Sequence, residues 1–166
     1  MSEYNVPFTD EDHRILSSCV TLVECLADYL GGGYEIVLHS LEDVEHSVVK
    51  IINGHHTGRT TGAPITDLAL SMLSRIENEN RPGYISYFSR NKKGEPLKDA
   101  TIAIRGVGGR IIGLLCINFY LNTPLSHLLD SLCAPAQQSP AVTETFAENT
   151  RELVVQSVEQ ARAQVM

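Results

Sequence analysis

A chain of 166 residues with an apolar share of 43% has enough material for one domain with a real core and appended helices, and too little for two full domains. Its formal net charge of -7 argues against any large part of it wrapping a phosphate backbone, because sequence-independent nucleic-acid affinity comes mainly from Lys and Arg. No apolar run approaches bilayer-spanning length, and the acidic start MSEYNVPFTDEDHR is unlike a signal peptide, so a cytoplasmic protein with no membrane partner is expected.

Thr9 followed by Asp10, Glu11 and Asp12 predicts a capped helix start. Ile15, Cys19, Leu22, Val23, Leu26 and Leu30 then recur at helical spacing, and Gly31, Gly32 and Gly33 stop the helix. Tyr34 to Ser40 reads as a strand, Leu41 to His46 as an acidic turn, and Ser47 to Asn53 as the hairpin partner. A polar loop punctuated by Gly54, Gly58 and Gly62 follows. Thr66-Asp67 then opens an amphipathic helix carrying Leu68, Met72, Leu73 and Ile76, which Asn80, Pro82 and Gly83 keep from continuing.

Three strands come next, Tyr84 to Arg90, Leu97 to Arg105 and Arg110 to Tyr120, separated by hairpin turns at Asn91 to Glu95 and Gly106 to Gly109. The last of them, IIGLLCINFY from Ile111, is nearly continuous in apolar residues and belongs in the centre of a sheet, whereas the strands before it alternate. An early hairpin and a later one flanking a last-formed central strand give an α+β fold. Its expected core is a five-stranded antiparallel sheet of order 2-1-5-4-3, the PAS arrangement, with flanking amino- and carboxy-terminal helices.

After the sheet, Thr123-Pro124 starts a helix to about Cys133, Ala134 to Ala141 is a linker of Pro, Gln and Ser, and Thr143-Glu144 opens a final helix. Phe146, Leu153, Val154, Val158, Ala161 and Val165 form a narrow stripe on that helix, closer to a coiled-coil seam than to a broad core face, so a homodimer through the flanking helices is expected. The predicted organisation is a PAS-like domain with its amino-terminal helix over residues 1–134, a linker over 135–143 and a dimerisation helix over 144–166.

NGHHTGRTTGAPITDLAL, followed by GEPLKDATIAIRGVGGRIIGLLCINFYLN, resembles the signature of the YheO-like PAS domains. The resemblance runs from about His13 to Leu121 and includes Leu38-His39, Asn53-Gly54, Thr57-Gly58-Arg59, Thr66-Asp67-Leu68 and Leu115-Cys116-Ile117-Asn118. It implies a bacterial transcriptional regulator in which this domain comes first and a carboxy-terminal helix-turn-helix reads DNA. No second helical pair follows the final helix, so DNA contact is expected only through a segment missing from this chain.

A small-molecule effector is expected between the sheet and the Gly54 to Asn78 segment, and seven residues are candidates for holding it. His39 ends an apolar strand in phase with Val37 and Glu35, and is either a ligand contact or a satisfied core imidazole. Asn53 and Gly54 permit a positive backbone angle, yet the wide loop beyond them, with Thr57, leaves amides and hydroxyls in need of partners. Thr66 reads as an N-cap, and Asp67 either complements the helix dipole or faces the cavity and selects a cationic group. Cys116 and Asn118 share one face of the central strand, where the amide of Asn118 must be hydrogen-bonded.

Other chemistries lack their patterns. Cys19, Cys25, Cys116 and Cys133 have no C-x-x-C spacing and suit packed, reduced thiols. His55-His56 has no third ligand at a helical or hairpin spacing, so no metal is expected. Gly106, Gly108, Gly109 and Gly113 fail the dinucleotide fingerprint and read as a tight hairpin, and no phosphate loop or nucleophile elbow is present, so no cofactor is expected. An enzyme using His39, Cys116 and Asp67 lacks any spacing that specifies catalysis. A ligand-free dimerisation scaffold is the remaining alternative.

Overall fold

The structure, a computed structural model, describes residues 5–79, 82–133 and 149–165. The chain divides into two units, Met1–Cys133 and Ala134–Met166. The first contains α1 (Asp10–Leu30), β1 (Tyr34–Ser40), β2 (Val48–Ile52), α2 (Asp67–Asn78), β3 (Tyr84–Arg90), β4 (Pro96–Arg105), β5 (Ile111–Tyr120) and α3 (Leu125–Leu132). The strands form one antiparallel sheet of order β2-β1-β5-β4-β3, as the apolar run of β5 and the two hairpins require.

Both faces of the sheet are covered. Leu16, Val23 and Ala27 of α1 pack on Ile36, Leu38 and Leu115 of one face. Ala69, Met72, Leu73 and Ile76 of α2 pack with Val37, Ile85, Leu114 and Cys116 of the other. Strand β2 is shorter than its sequence pattern. Ser47 spends its hydroxyl on the Ser40 carbonyl at 2.7 Å, and Asn53 leaves extended geometry with φ 56°. Gly113, read with the hairpin glycines, lies inside β5 opposite Ser40. The thiols divide: Cys116 is buried, but Cys25 is exposed between the packed positions Val23 and Ala27 of α1, and Cys133 is exposed at the cap of α3.

The second unit's described helix, α4, is Thr150–Val165, with Leu153, Val154, Val155 and Val158 exposed. The expected linker over 135–143, the helix start at Thr143-Glu144 and Phe146 lie outside the described residues. No helix among the described residues is long and apolar enough to cross a membrane.

One buried carboxylate ties α1 to the sheet. Asp12 closes a capping box with Thr9, whose amide and hydroxyl donate to it at 2.8 and 2.6 Å, and it also accepts from the Val107 amide at 2.9 Å and pairs with Arg110. The Thr9 hydroxyl above all holds its pKa far below the ordinary 3.8. The stability such a group contributes is complete above the unfolded-state value and is lost as pH falls through the depressed folded one. Asp12→Asn is therefore expected to show a shallower acid-unfolding transition below about pH 4 than the wild type, followed by circular dichroism. Superimposable acid profiles would assign the sensitivity to other carboxylates.

Candidate functional site

Strand register builds the floor of the site. Glu35 pairs with Asn118, Asn118 with Asp99, and Asp99 with Tyr87, so four polar side chains cross β1, β5, β4 and β3 in one row. The adjacent row, Val37, Cys116, Thr101 and Ile85, is mostly apolar, and Tyr120 and Leu97 pair on the other side of the polar one. Directly opposed residues of antiparallel strands project from the same face. The two rows thus present one polar band beside an apolar one.

The roof is the crossover from β2 to α2, held by its own backbone. Gly58 donates to the Gly54 carbonyl at 2.7 Å, Gly62 to Val48 at 2.8 Å and Ile65 to Val44 at 2.9 Å. A Cβ on Gly54 would meet the Arg59 carbonyl at 2.5 Å, which is why that turn takes no side chain. Thr66 caps α2 by accepting from the Ala69 amide at 3.2 Å. Roof and floor enclose a cavity of about 680 Å3, lined by Glu35, Val37, His39, Thr57, Arg59, Ile65, Leu68, Tyr87, Asp99, Cys116, Asn118 and Tyr120 among others. A smaller cavity of about 530 Å3 beside it shares His56 and Tyr120.

The structure brings His39, Thr57, Cys116 and Asn118 to the cavity and leaves Asn53, Gly54 and Asp67 off its walls. Asn53 donates its side-chain amide to the Tyr34 carbonyl at 2.7 Å, fastening the end of β2 to the start of β1. Asp67 is exposed in the first turn of α2. Thr57 points its hydroxyl at Glu35 Oε2, 2.6 Å away, so the crossover is pinned to the floor through a buried acid. Asn118 donates to Glu35 Oε1 at 3.4 Å.

His39 is buried, and its tautomer follows from its neighbours. The Ser47 hydroxyl gives its proton to the Ser40 carbonyl, so at 3.1 Å from His39 Nδ1 it acts as acceptor. Nδ1 therefore carries the proton, and the lone pair stands on Nε2. Burial, helped by the positive charge of Arg59, lowers the His39 pKa to about 4. Burial likewise raises the Cys116 thiol to about 11 and the Tyr87 and Tyr120 phenols to about 12.

Asp99 and Tyr120 are the residues that sequence reading passed over. Asp99 is 3% exposed; its Oδ2 accepts from the Ser89 hydroxyl, while Oδ1 has no hydrogen-bond partner. Tyr120 is 2% exposed, and its hydroxyl is also unpartnered, with the Asn91 side chain approaching it without completing a bond. Burial pushes the Asp99 carboxyl above its ordinary range, with Ser89 offsetting part of the shift. Strand parity offers a partial signal, because Asp99 shares its side-chain face with Leu97 and Thr101 as Glu35 does with Val37 and His39.

The sequence profile of the YheO-like PAS domains matches residues 9–134. An uncharacterized protein of Haemophilus influenzae is 42% identical over 161 residues, covering 96% of this chain and 71% of its own length. YheO of Escherichia coli, also uncharacterized, is 42% identical over 153 residues; the match covers 92% of this chain and 64% of YheO. Among solved structures, a PAS domain from Colwellia psychrerythraea is 18% identical with a TM-score of 0.44, covering 63% of this chain and 98% of that one. A LOV protein of Rhodobacter sphaeroides is 15% identical with a TM-score of 0.36, covering 94% and 98%.

Proposed function

The chain belongs to the YheO-like PAS domain family, and from that premise we propose that it is the ligand-sensing, dimerising part of a cytoplasmic bacterial transcriptional regulator. It binds a small metabolite and relays occupancy to a DNA-binding segment outside this chain. The observation that carries this reading is the roofed cavity of about 680 Å3 with two buried polar atoms beside it, Asp99 Oδ1 and the Tyr120 hydroxyl, that no protein group satisfies. Buried groups of this kind are rarely left alone unless water or a ligand meets them.

Relay requires the ligand to bind two arrangements of the protein unequally. Thr57 supplies a coupling point, because it links the crossover roof to the Glu35 floor. Exposed apolar residues on the flanking helices, Leu22 and Tyr29 of α1 and Leu153, Val154 and Val158 of α4, support homodimerisation through them. YheO itself extends well beyond the matched stretch, which supports a further functional segment in the whole protein. Binding is favoured over catalysis by the Cys116 thiol, held protonated by burial, and by the exposure of Asp67 to solvent outside the cavity lining.

Thermal unfolding against a broad metabolite panel tests the reading. A compound bound only by the folded chain stabilises it by about 2.7 kcal/mol at 100 times its Kd. Asn118→Ala is expected to abolish that response while the protein still folds and retains a dimer mass. A dimer that no compound shifts would leave the scaffold, and turnover of a hit would make the protein an enzyme.

A further inference from the structure

We infer that the cavity takes an amino-acid-like zwitterion, with its ammonium or guanidinium end on the floor formed by Asp99 and Glu35 and its carboxylate toward Arg59 and the β3–β4 turn. This rests on the reading of the cavity as a ligand site. The floor offers acceptors to a ligand donor. Asp99 Oδ1 is buried without a donor, the Tyr120 hydroxyl is buried, unpartnered and able to accept as well as donate, and the Nε2 lone pair of His39 lies on the same face two register positions from Glu35. An ammonium brings three donors and a guanidinium five, so either satisfies several of these groups together. A carboxylate placed there would meet two acids instead.

The other walls carry the opposite sign. Arg59 comes from the crossover, and Arg90, Lys92 and Lys93 come from the end of β3 and the turn after it; all four line the cavity. The acids lie buried on the sheet, at 1% exposure for Glu35 and 3% for Asp99, whereas Arg90, Lys92 and Lys93 are exposed at the mouth. Such a separation favours a molecule whose own charges are separated in the same sense. A simple diamine would bring a second cation against Arg59, and a dicarboxylate would press an anion on the floor. Between the two ends, Val37, Ile65, Leu68 and Ala69 give an apolar wall for an aliphatic stem.

The test uses the full chain, with thermal shift and calorimetry. Its probes are the proteinogenic amino acids singly, putrescine and agmatine as cations without a carboxylate, succinate as an anion and glucose as a neutral polyol. At least one amino acid should bind about 10-fold or more tightly than the amines, since its carboxylate gains a charge-assisted contact. Asp99→Asn should weaken that amino acid about 10- to 100-fold, the range of a lost hydrogen bond to a charged group. Arg59→Gln should erase the preference over the amines without weakening the amines themselves. If Asp99→Asn fails to fold, the Arg59→Gln comparison decides.

Tighter binding of succinate or glucose than of any amino acid would overturn the zwitterion while leaving a ligand site in place. Equal binding of amino acids and amines, or wild-type affinity in folded Asp99→Asn, would overturn the assignment of charges. If none of these probes shifts the protein, the zwitterion falls, and the broader metabolite panel then decides whether the ligand site falls with it.

Discussion

Gly113→Val is expected to abolish the native fold or to lower its stability by well over the 1–3 kcal/mol or so typical of an overpacked core. Gly113 sits in the central strand opposite Ser40 of β1. A Cβ built there would stand 2.4 Å from the His39 carbonyl oxygen and 2.9 Å from Leu16 Cδ1 of α1. Leu16 can turn away, but the carbonyl belongs to the backbone of a strand paired on both sides, so relief requires β1 and β5 to part. Both strands carry cavity residues, Glu35, Val37 and His39 on one and Cys116 and Asn118 on the other. Gly113→Ala should show the same defect at roughly 1–3 kcal/mol. Gly32→Ala is the control, because a Cβ there meets nothing within 4 Å, and its urea midpoint should stay within about 0.5 kcal/mol of wild type. A Gly113→Val protein that unfolds at the wild-type midpoint would show that the strands yield more easily than their pairing indicates.

That glycine marks the limit of what the sequence discloses. The apolar run of β5 announces a central strand, because only a strand covered on both faces and paired on both edges has no polar side to declare. Close approach of two backbones leaves no comparable trace: a glycine required by contact looks like one required by a turn. In sequence Gly113 therefore reads like Gly106, Gly108 and Gly109, two of which do take the positive φ of a hairpin, Gly108 at 71° and Gly109 at 78°.

The site was legible in the same uneven way. Strand phase put Glu35, Val37 and His39 on one face and Cys116 with Asn118 on one face, and the structure places all five at the cavity. An aspartate in an alternating strand reads as solvent-facing on residue type, although it shares parity with Leu97 and Thr101, and its pairing with Asn118 of β5 places it in the polar row of the floor. Register between β4 and β5 depends on the Gly106 to Gly109 turn, where the Gly106 amide donates to the Arg110 carbonyl at 2.9 Å and the Gly109 amide to the Gly106 carbonyl at 3.0 Å. The helical period, by contrast, already spoke against Asp67 as a cavity group. Ala69, Met72, Leu73 and Ile76 define the buried face of α2, and two residues back from Ala69 is about 200° around the helix.

His39 makes the second large prediction, a stability that falls on mild acidification. Its pKa is lowered from 6.5 to about 4 in the folded protein, chiefly by burial and then by Arg59. Between these values the unfolded chain holds a proton on this imidazole and the folded chain does not, so acid favours unfolding. The destabilisation is negligible above the unfolded value, grows as pH falls through it, and is complete below the folded one. Integrated from about pH 7 to about pH 5, the linkage amounts to roughly 2 kcal/mol, approaching roughly 3 kcal/mol near pH 4. His39→Asn keeps a side-chain donor near the position of Nδ1 for Ser47 and removes the titration. Urea unfolding at the two higher pH values should show wild type losing roughly 2 kcal/mol more than His39→Asn, whatever the variant's own stability. Taking the difference also cancels the opposing titration of Asp99 and the acid response of Asp12. Parallel pH profiles for the two proteins would mean that His39 is reached by water and charges in place, and the Nε2 acceptor assigned to the cavity would then be a donor instead.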